Sequence, residues 1–155
     1  MESVWSNTCK IKKRETLNGD LKAYVLIIGA GIAGILTGYL LKKSGRNPVI
    51  IDKDKMLCGN TKNTTAKITS QHHIIYSKLI SEFGEEKAKH YAEANELAIK
   101  SYKDIIKEKH IDCDFEEKCA YVYSLHDIDK IKEEVKAAKQ LGIEAEFVEE
   151  TNLPL

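Results

Sequence analysis

The sequence predicts an α/β protein: a β-strand–α-helix–β-strand unit with parallel strands, followed by helices and antiparallel strands that begin a second domain. Three observations support this class. Two short apolar runs, residues 24–28 and 49–51, are rich in β-branched side chains, which is typical of strands buried on both faces of a parallel sheet. A glycine-rich turn and a segment of helix length separate them, as a parallel crossover requires. After residue 84, helical spacings of apolar residues alternate with short strand-like runs.

The first predicted strand, residues 24–28, ends at a glycine-rich turn. Gly29, Gly31 and Gly34 form the pattern GxGxxG at the start of a predicted helix, residues 31–43. In this motif the first glycine permits a tight turn, the second lets a pyrophosphate approach the backbone, and the third lets the helix pack closely on the strand. The helix then presents free N–H groups and the positive end of its dipole to the phosphate.

A membrane-spanning helix is an alternative interpretation of the same stretch. Residues 24–41 contain no charged side chain, and Gly34 and Gly38 form a GxxxG pair. The order of glycines and apolar runs, and a helix end at Gly45, favour the strand–turn–helix interpretation. We therefore expect no membrane span.

The second predicted strand, residues 49–51, ends at an acidic residue. Asp52 follows Gly34 at close to the spacing of roughly 20 residues at which a carboxylate binds the ribose hydroxyls of a dinucleotide. A strand, a glycine turn, a helix, a second strand and a terminal acid in this order predict a Rossmann-type dinucleotide-binding unit.

A polar loop, residues 53–73, follows instead of the third buried strand that a simple NAD domain would have. Three of its hydroxyl residues could face a second phosphate or a ribityl chain: Thr64, Thr65 and Ser70. The alternative is that one of three residues caps a helix that runs to about residue 80: Thr61, Asn63 or Thr64.

The remainder of the chain predicts helices and half-buried strands. Residues 85–109 form an amphipathic helix whose apolar face comprises Ala88, Tyr91, Ala94, Ala98, Tyr102 and Ile105. Asp127 is the expected N-cap of a second helix that ends at Gly142. Three segments alternate apolar and polar side chains as strands do: residues 111–115, 121–123 and 143–148. The predicted domains are an N-terminal arm, residues 1–20, the dinucleotide unit with its loop, residues 21–84, and the start of a second domain, residues 85–155.

Composition excludes several classes of function. The chain has 24 basic and 24 acidic residues, so its formal charge is zero, and we expect neither nucleic acid nor an anionic membrane surface as a partner. The N-terminal residues lack the apolar core of a signal peptide. Four cysteines without CxxC spacing predict no metal site and reduced thiols in the cytoplasm: Cys9, Cys58, Cys113 and Cys119.

Five blocks of the sequence carry a resemblance to a known family: "VLIIGAGIAGILTGYLLKKSG", "TTAKITSQHHIIYSKL", "HYAEANELAIKS", "IDCDFEEKCAYVYS" and "LPL". They resemble the N-terminal part of FAD-dependent oxidoreductases of the D-amino-acid oxidase and glycine oxidase superfamily. The likeness is strongest to the bacterial branch whose members often carry a C-terminal Rieske iron–sulfur domain. It runs from about residue 20 to the end of the chain.

The resemblance implies FAD as cofactor and a set of binding residues. The turn would hold the pyrophosphate through Gly29, Ala30, Gly31, Ile32, Ala33 and Gly34. Asp52 would bind the adenosine ribose, with Lys53 beside it. Four residues would lie along the flavin side: Gly59, Thr64, Thr65 and Ala66. The family usually has Glu where this chain has Asp52, whose side chain is one methylene shorter.

The resemblance also implies the chemistry. Hydride would pass from a C–N bond of a small amine or amino acid to the flavin, and oxygen or another acceptor would reoxidise it. The residues identify no catalytic group. Because members of the superfamily are much longer, we expect a fragment that is inactive alone and, in the full-length product, a possible Rieske domain. Two alternatives stay open: a module that binds NAD or another nucleotide without redox chemistry, and an inactive remnant.

Overall fold

The computed structural model describes residues 3–151. Its helices and strands are α1 (Val4–Thr8), β1 (Leu26–Ile28), α2 (Ile32–Lys43), β2 (Val49–Ile51), a 3₁₀ helix (Asn60–Asn63), α3 (Tyr76–Phe83), α4 (Glu85–Glu108) and α5 (Ile128–Gln140). The chain divides into an N-terminal unit, Met1–Lys67, and a C-terminal unit, Ile68–Leu155.

The N-terminal unit contains the predicted pair of parallel strands with a helix between them. β1 pairs with β2 in the register Leu26–Val49, Ile27–Ile50 and Ile28–Ile51. α2 connects the two strands and packs against both. The predicted βαβ core is therefore present, as an α/β arrangement of helices with a small parallel sheet.

Glycines allow α2 to approach this sheet closely. A Cβ atom added to Gly34 would lie 1.9 Å from the carbonyl oxygen of Gly29, and one added to Gly38 would lie 2.6 Å from Cδ1 of Ile50. The third glycine of the motif is thus needed where helix and strand meet, as its position predicts.

The expectation that β1 is buried on both faces is wrong for this structure. Leu26 is 52% exposed and Ile28 is 81% exposed, and the neighbouring Tyr24 is also exposed. Val25 and Ile27, on the opposite face, are half-buried. Because side chains alternate along a strand, a single helix packed on a two-stranded sheet covers one face and leaves the other uncovered.

Three helices surround a small core in the C-terminal unit. α3 packs against both α4 and α5, and the buried cluster consists of Tyr76, Ala88, Ala92, Ala137, Ala138 and Leu141. The predicted face of α4 is wrong at Ala94 and Ala98, which are exposed. The buried side of α4 includes Ala92 instead. Alanines lie on both sides of the apolar stripe, so the sequence alone does not show which of them is buried.

The predicted start of α3 is wrong, and a distant carboxylate explains where the helix begins. Residues 60–63 form the 3₁₀ helix, and Thr64 follows its last residue. α3 starts only at Tyr76, where Glu134 of α5 accepts hydrogen bonds from the backbone amides of Ile75 (2.8 Å), Tyr76 (2.8 Å) and Ser77 (2.9 Å). Amides at a helix start lack partners within the helix, and Glu134 supplies them from another helix.

Glu134 is almost completely buried, at 4% exposure. Burial by itself raises the pKa of its carboxyl, but the hydrogen bonds from the three amides outweigh burial and lower the pKa overall. The side chains of Gln71 and Ser77 also donate to it, at 3.1 Å and 2.9 Å. The carboxylate is therefore ionised and fully paired at neutral pH.

α5 begins and ends where the sequence predicts. It starts directly after Asp127, although that carboxylate makes no capping hydrogen bond and lies 3.3 Å from the ammonium group of Lys130. Gly142 follows the helix with a φ of +87°, a left-handed conformation that favours glycine.

The predicted antiparallel strands are not confirmed. Within residues 3–151 the strands are β1 and β2, so residues 111–115, 121–123 and 143–148 have no ladder partner there. The predicted domain boundaries at residues 20 and 84 stay predictions. Residues 1–2 and 152–155, which include the "LPL" block, lie outside the described residues.

None of the helices in residues 3–151 is both long enough and apolar enough to cross a membrane. α2, which lies in the uncharged stretch, has 12 residues. A bilayer core requires about 20.

Candidate cofactor-binding site

The glycine-rich turn is held against the end of β2 by backbone hydrogen bonds. Gly29 has a φ of +108°, which side chains disfavour, and its amide donates to the carbonyl of Ile51 at 2.7 Å. The carbonyl of Ala30 accepts from the amide of Leu57 at 3.0 Å. The loop after β2 is thereby folded back onto the turn between β1 and α2.

The N-terminus of α2 has the features of an anion-binding site. Gly31 is the N-cap residue, without a side-chain capping bond, and the first turn of α2 contains no acidic residue. The positive end of the helix dipole is therefore not neutralised by a carboxylate of its own helix. A Cβ added to Gly31 would meet within 4 Å only Oγ1 of Thr61, at 3.5 Å, so the backbone here is open to a ligand. These residues fit the diphosphate of a dinucleotide.

The structure brings Asp52 to the same turn. Its Oδ2 accepts from the amide of Ala30 at 2.7 Å, and its Oδ1 accepts from the amide of Asp54 at 2.9 Å. The hydrogen bond from Ala30, and then that from Asp54, lower the pKa of this carboxyl. The side chain is exposed, and a carboxylate has room for about four hydrogen bonds. Asp52 can therefore hold the turn and still accept a hydroxyl of a ligand.

Thr61, for which the sequence predicts only a role as a helix cap, also belongs to the site. Its Oγ1 accepts a hydrogen bond from the amide of Ile32, the first residue of α2, at 3.1 Å. A hydroxyl group thus lies at the helix end where a phosphate oxygen would bind. No local pattern distinguishes Thr61 from the neighbouring threonines, since the contact depends on how the loop folds back.

The remaining predicted binding residues lie around the 3₁₀ helix. Gly59 precedes it and Thr64 follows it. Lys53, Thr65 and Ala66 are exposed. Ala66 has a φ of +56°, and its amide donates to the hydroxyl of Thr64 at 3.2 Å. Thr61 and Asp52 make hydrogen bonds to the glycine turn, whereas Thr64 makes hydrogen bonds with Thr61, Ala66 and Trp5.

Ser70 and the following histidines belong to the C-terminal unit. The Ser70 carbonyl accepts the hydroxyl of Tyr76 at 2.5 Å, and burial raises the pKa of Tyr76 to about 12. His72 makes an edge-to-face contact with the ring of Tyr91. Each of these contacts is structural. Among the described residues no group of His, Cys, Asp and Glu could hold a metal ion.

A parallel βαβ unit with a glycine turn, an open backbone at Gly31 and an ionised carboxylate at the end of the second strand forms an α/β arrangement whose turn fits a phosphate group. The chain belongs to the FAD dependent oxidoreductase (DAO) family, whose family model matches residues 24–154. This confirms the resemblance, and FAD is the cofactor of the family.

A relative with a Rieske description supports the bacterial branch. A protein of Bacillus subtilis (strain 168), YhfW, which is provisionally described as a Rieske 2Fe-2S iron-sulfur protein, is 39% identical over 156 residues. The match covers 99% of this chain and 31% of the relative, so the chain spans about a third of the relative's length. No solved structure matches the chain significantly.

Proposed function

We propose that this chain is the cofactor-binding N-terminal part of an FAD-dependent oxidoreductase that removes hydride from a C–N bond of an amine or amino acid. Family membership supports FAD as the ligand. The observation that carries the location is the open backbone at Gly31, the N-cap residue of α2, whose first turn contains no acidic residue.

Each residue of the site has a binding task in this proposal. The turn formed by residues 29–34 holds the pyrophosphate through the amides of Gly31, Ala33 and Gly34, since those of Gly29, Ala30 and Ile32 already donate within the protein. The side chain of Asp52 accepts ribose hydroxyls beside Lys53. Thr61 lies at the phosphate end. Four residues of the loop line the flavin side: Gly59, Thr64, Thr65 and Ala66.

FAD, when bound, supplies the group that accepts hydride, while the protein binds and orients it. Ionised Asp52 keeps the turn in its binding conformation through the amide of Ala30. The helix dipole favours the negative charge of the pyrophosphate. This chain's residues therefore contribute position and electrostatics, and we assign none of them to the reaction itself.

The substrate side and the partner domain also belong to the proposal. We place the substrate side beyond residue 84, in the segment for which the sequence predicts antiparallel strands. The description of the Bacillus relative supports a Rieske iron–sulfur domain in a full-length product. A cytoplasmic location stays a prediction, which cell fractionation can test.

The test of the proposed site is a titration of the purified chain with FAD, in which flavin fluorescence measures binding. Gly31→Ala keeps an allowed backbone conformation (φ −77°) but puts a methyl group where the diphosphate approaches. We expect it to raise the dissociation constant at least about tenfold, as for an ordinary binding contact of 1.4 kcal/mol. The matched control is Ser44→Ala at the other end of α2, which should leave FAD affinity unchanged.

Three results would contradict the proposal. Wild-type chain that binds neither FAD nor another nucleotide indicates an inactive remnant. Tighter binding of NAD than of FAD indicates a nucleotide module without flavin chemistry. Equal FAD affinity of wild type and Gly31→Ala places the ligand elsewhere.

A further inference from the structure

The N-terminal arm, residues 3–20, contacts the loop that carries Thr61. Its short helix α1 packs against the 3₁₀ helix. The indole Nε1 of Trp5 donates a hydrogen bond to the carbonyl oxygen of Thr64 at 2.8 Å. Ser3 stabilises the start of α1, since its hydroxyl accepts from the amide of Ser6 at 3.3 Å. The arm is thus a folded element with a specific contact far along the chain.

The 3₁₀ helix is held from two sides. On one side Trp5 binds the carbonyl of Thr64, and on the other the hydroxyl of Thr61 accepts the amide of Ile32. Thr61 and Thr64 are themselves linked, because the amide of Thr64 donates to the carbonyl of Thr61 at 3.4 Å. A continuous set of hydrogen bonds therefore runs from the arm to the start of α2.

The 3₁₀ helix has little else to hold it. None of its residues is buried, its sequence is polar, and 3₁₀ hydrogen bonds have poorer geometry than those of an α-helix. A binding loop that is unordered before the ligand arrives must lose conformational entropy on binding, and this weakens affinity. An element that orders the loop beforehand strengthens binding without touching the ligand.

We propose that the N-terminal arm is a positioning element of the cofactor site, with Trp5 as the positioning residue that orders the 3₁₀ helix and places the Thr61 hydroxyl at the start of α2. This inference rests on the proposed function, because it assigns the arm to the FAD site. Trp5 is 39% exposed, so its ring is partly covered, and the specific contact that it makes with the loop is the hydrogen bond from its indole N–H.

The experiment compares wild type with Trp5→Phe, which keeps an aromatic ring and removes the indole N–H. The control is Asn7→Ala, at an exposed position of α1. Two quantities are measured on the full chain: the dissociation constant for FAD, and amide hydrogen exchange by NMR without ligand. Thermal unfolding is recorded for each variant.

We expect Trp5→Phe to raise the dissociation constant for FAD about threefold to tenfold, the range for one neutral hydrogen bond. Without ligand, the Ile32 amide should exchange faster. The Val49 amide, which donates to Val25 in the sheet at 2.9 Å, should exchange at the wild-type rate. Asn7→Ala should change neither quantity, and the midpoint of thermal unfolding should be the same in both variants as in wild type.

Other results overturn the inference. Unchanged exchange at Ile32 shows that Trp5 does not order the loop. Faster exchange at both Ile32 and Val49, with a lower unfolding midpoint, shows a general structural role. Wild type that binds FAD no better than Trp5→Phe overturns the inference and leaves the proposed function standing, whereas wild type that binds no FAD overturns the proposed function itself.

Discussion

The two units of the chain are stabilised in different ways. The C-terminal unit has a cluster of buried side chains around Tyr76 and a helix start capped by the buried Glu134. In the N-terminal unit the closest packing is of backbone, where Gly34 meets Gly29, and the outer face of β1 is exposed. The unit that carries the candidate site is the one without a comparable side-chain cluster among residues 3–67.

This difference has a consequence for binding. Regions with few buried apolar contacts open locally at low free energy, and ligand sites are often drawn from such regions. A ligand that binds only the folded form stabilises it by mass action. We therefore expect the N-terminal unit to depend on its hydrogen bonds and on its ligand, and the C-terminal unit to depend on its core.

The largest loss of stability is expected in the N-terminal unit, from a substitution at Gly34. In Gly34→Ala the new methyl group would lie 1.9 Å from a backbone oxygen that cannot move without moving β1, so we expect about 3 kcal/mol of destabilisation. Gly38→Ala is the matched control, because its methyl meets the flexible end of Ile50 and alanine favours helix, leaving about 0–1 kcal/mol. Amide exchange of Val49 reports the difference. Equal protection in both variants would contradict the close approach of α2.

A second substitution acts on the C-terminal unit. Glu134→Ala leaves the amides of Ile75, Tyr76 and Ser77 without their acceptor, and we expect a loss of about 2–4 kcal/mol in the free energy of unfolding. Glu134→Gln keeps one carbonyl oxygen and should lose about half as much. Denaturant unfolding followed by tyrosine fluorescence measures both.

The control for this position is Glu133→Ala. Glu133 is exposed on the same helix, and its removal should change stability by no more than about 0.5 kcal/mol. If Glu134→Ala matches this control, the cap does not stabilise α3.

Lowering the pH should destabilise the start of α3 by less than these substitutions do. The pKa of Glu134 is lowered from 4.5 in the folded chain, so its stabilisation is complete above that value and is lost as pH falls through the folded pKa. Asp52 follows the same direction from 3.8, but it is exposed, so the dependence there is weaker. Protection factors of α3 amides, which compare the observed exchange rate with the intrinsic rate at the same pH, should fall between pH 6 and pH 3 in wild type and much less in Glu134→Gln. Identical pH profiles would exclude Glu134 as the titrating group.

Sequence patterns within a few residues predicted those parts of the fold that depend on local backbone geometry. The order of β1, glycine turn, α2, β2 and Asp52 was predicted correctly, because glycine conformations and apolar periodicity act within a few residues. The ends of α5 were predicted for the same reason. The start of α3 was not, since its cap comes from Glu134, far along the chain.

The candidate site divides in the same way. Gly29, Gly31, Gly34 and Asp52 were recognisable from their spacing, and the structure places them together. Thr61 and Trp5 were not recognisable, because nothing near them in the chain marks either residue.

The sequence by itself determined the βαβ unit, its glycine turn and the family, since strand, turn and helix preferences are local and the motif spacing is contiguous. Only the tertiary structure decided which carboxylate caps α3, which hydroxyl meets α2 and which arm residue holds that hydroxyl's loop. Each of these contacts joins residues distant in the chain, and it forms only when folding removes polar groups from water and requires them to find partners.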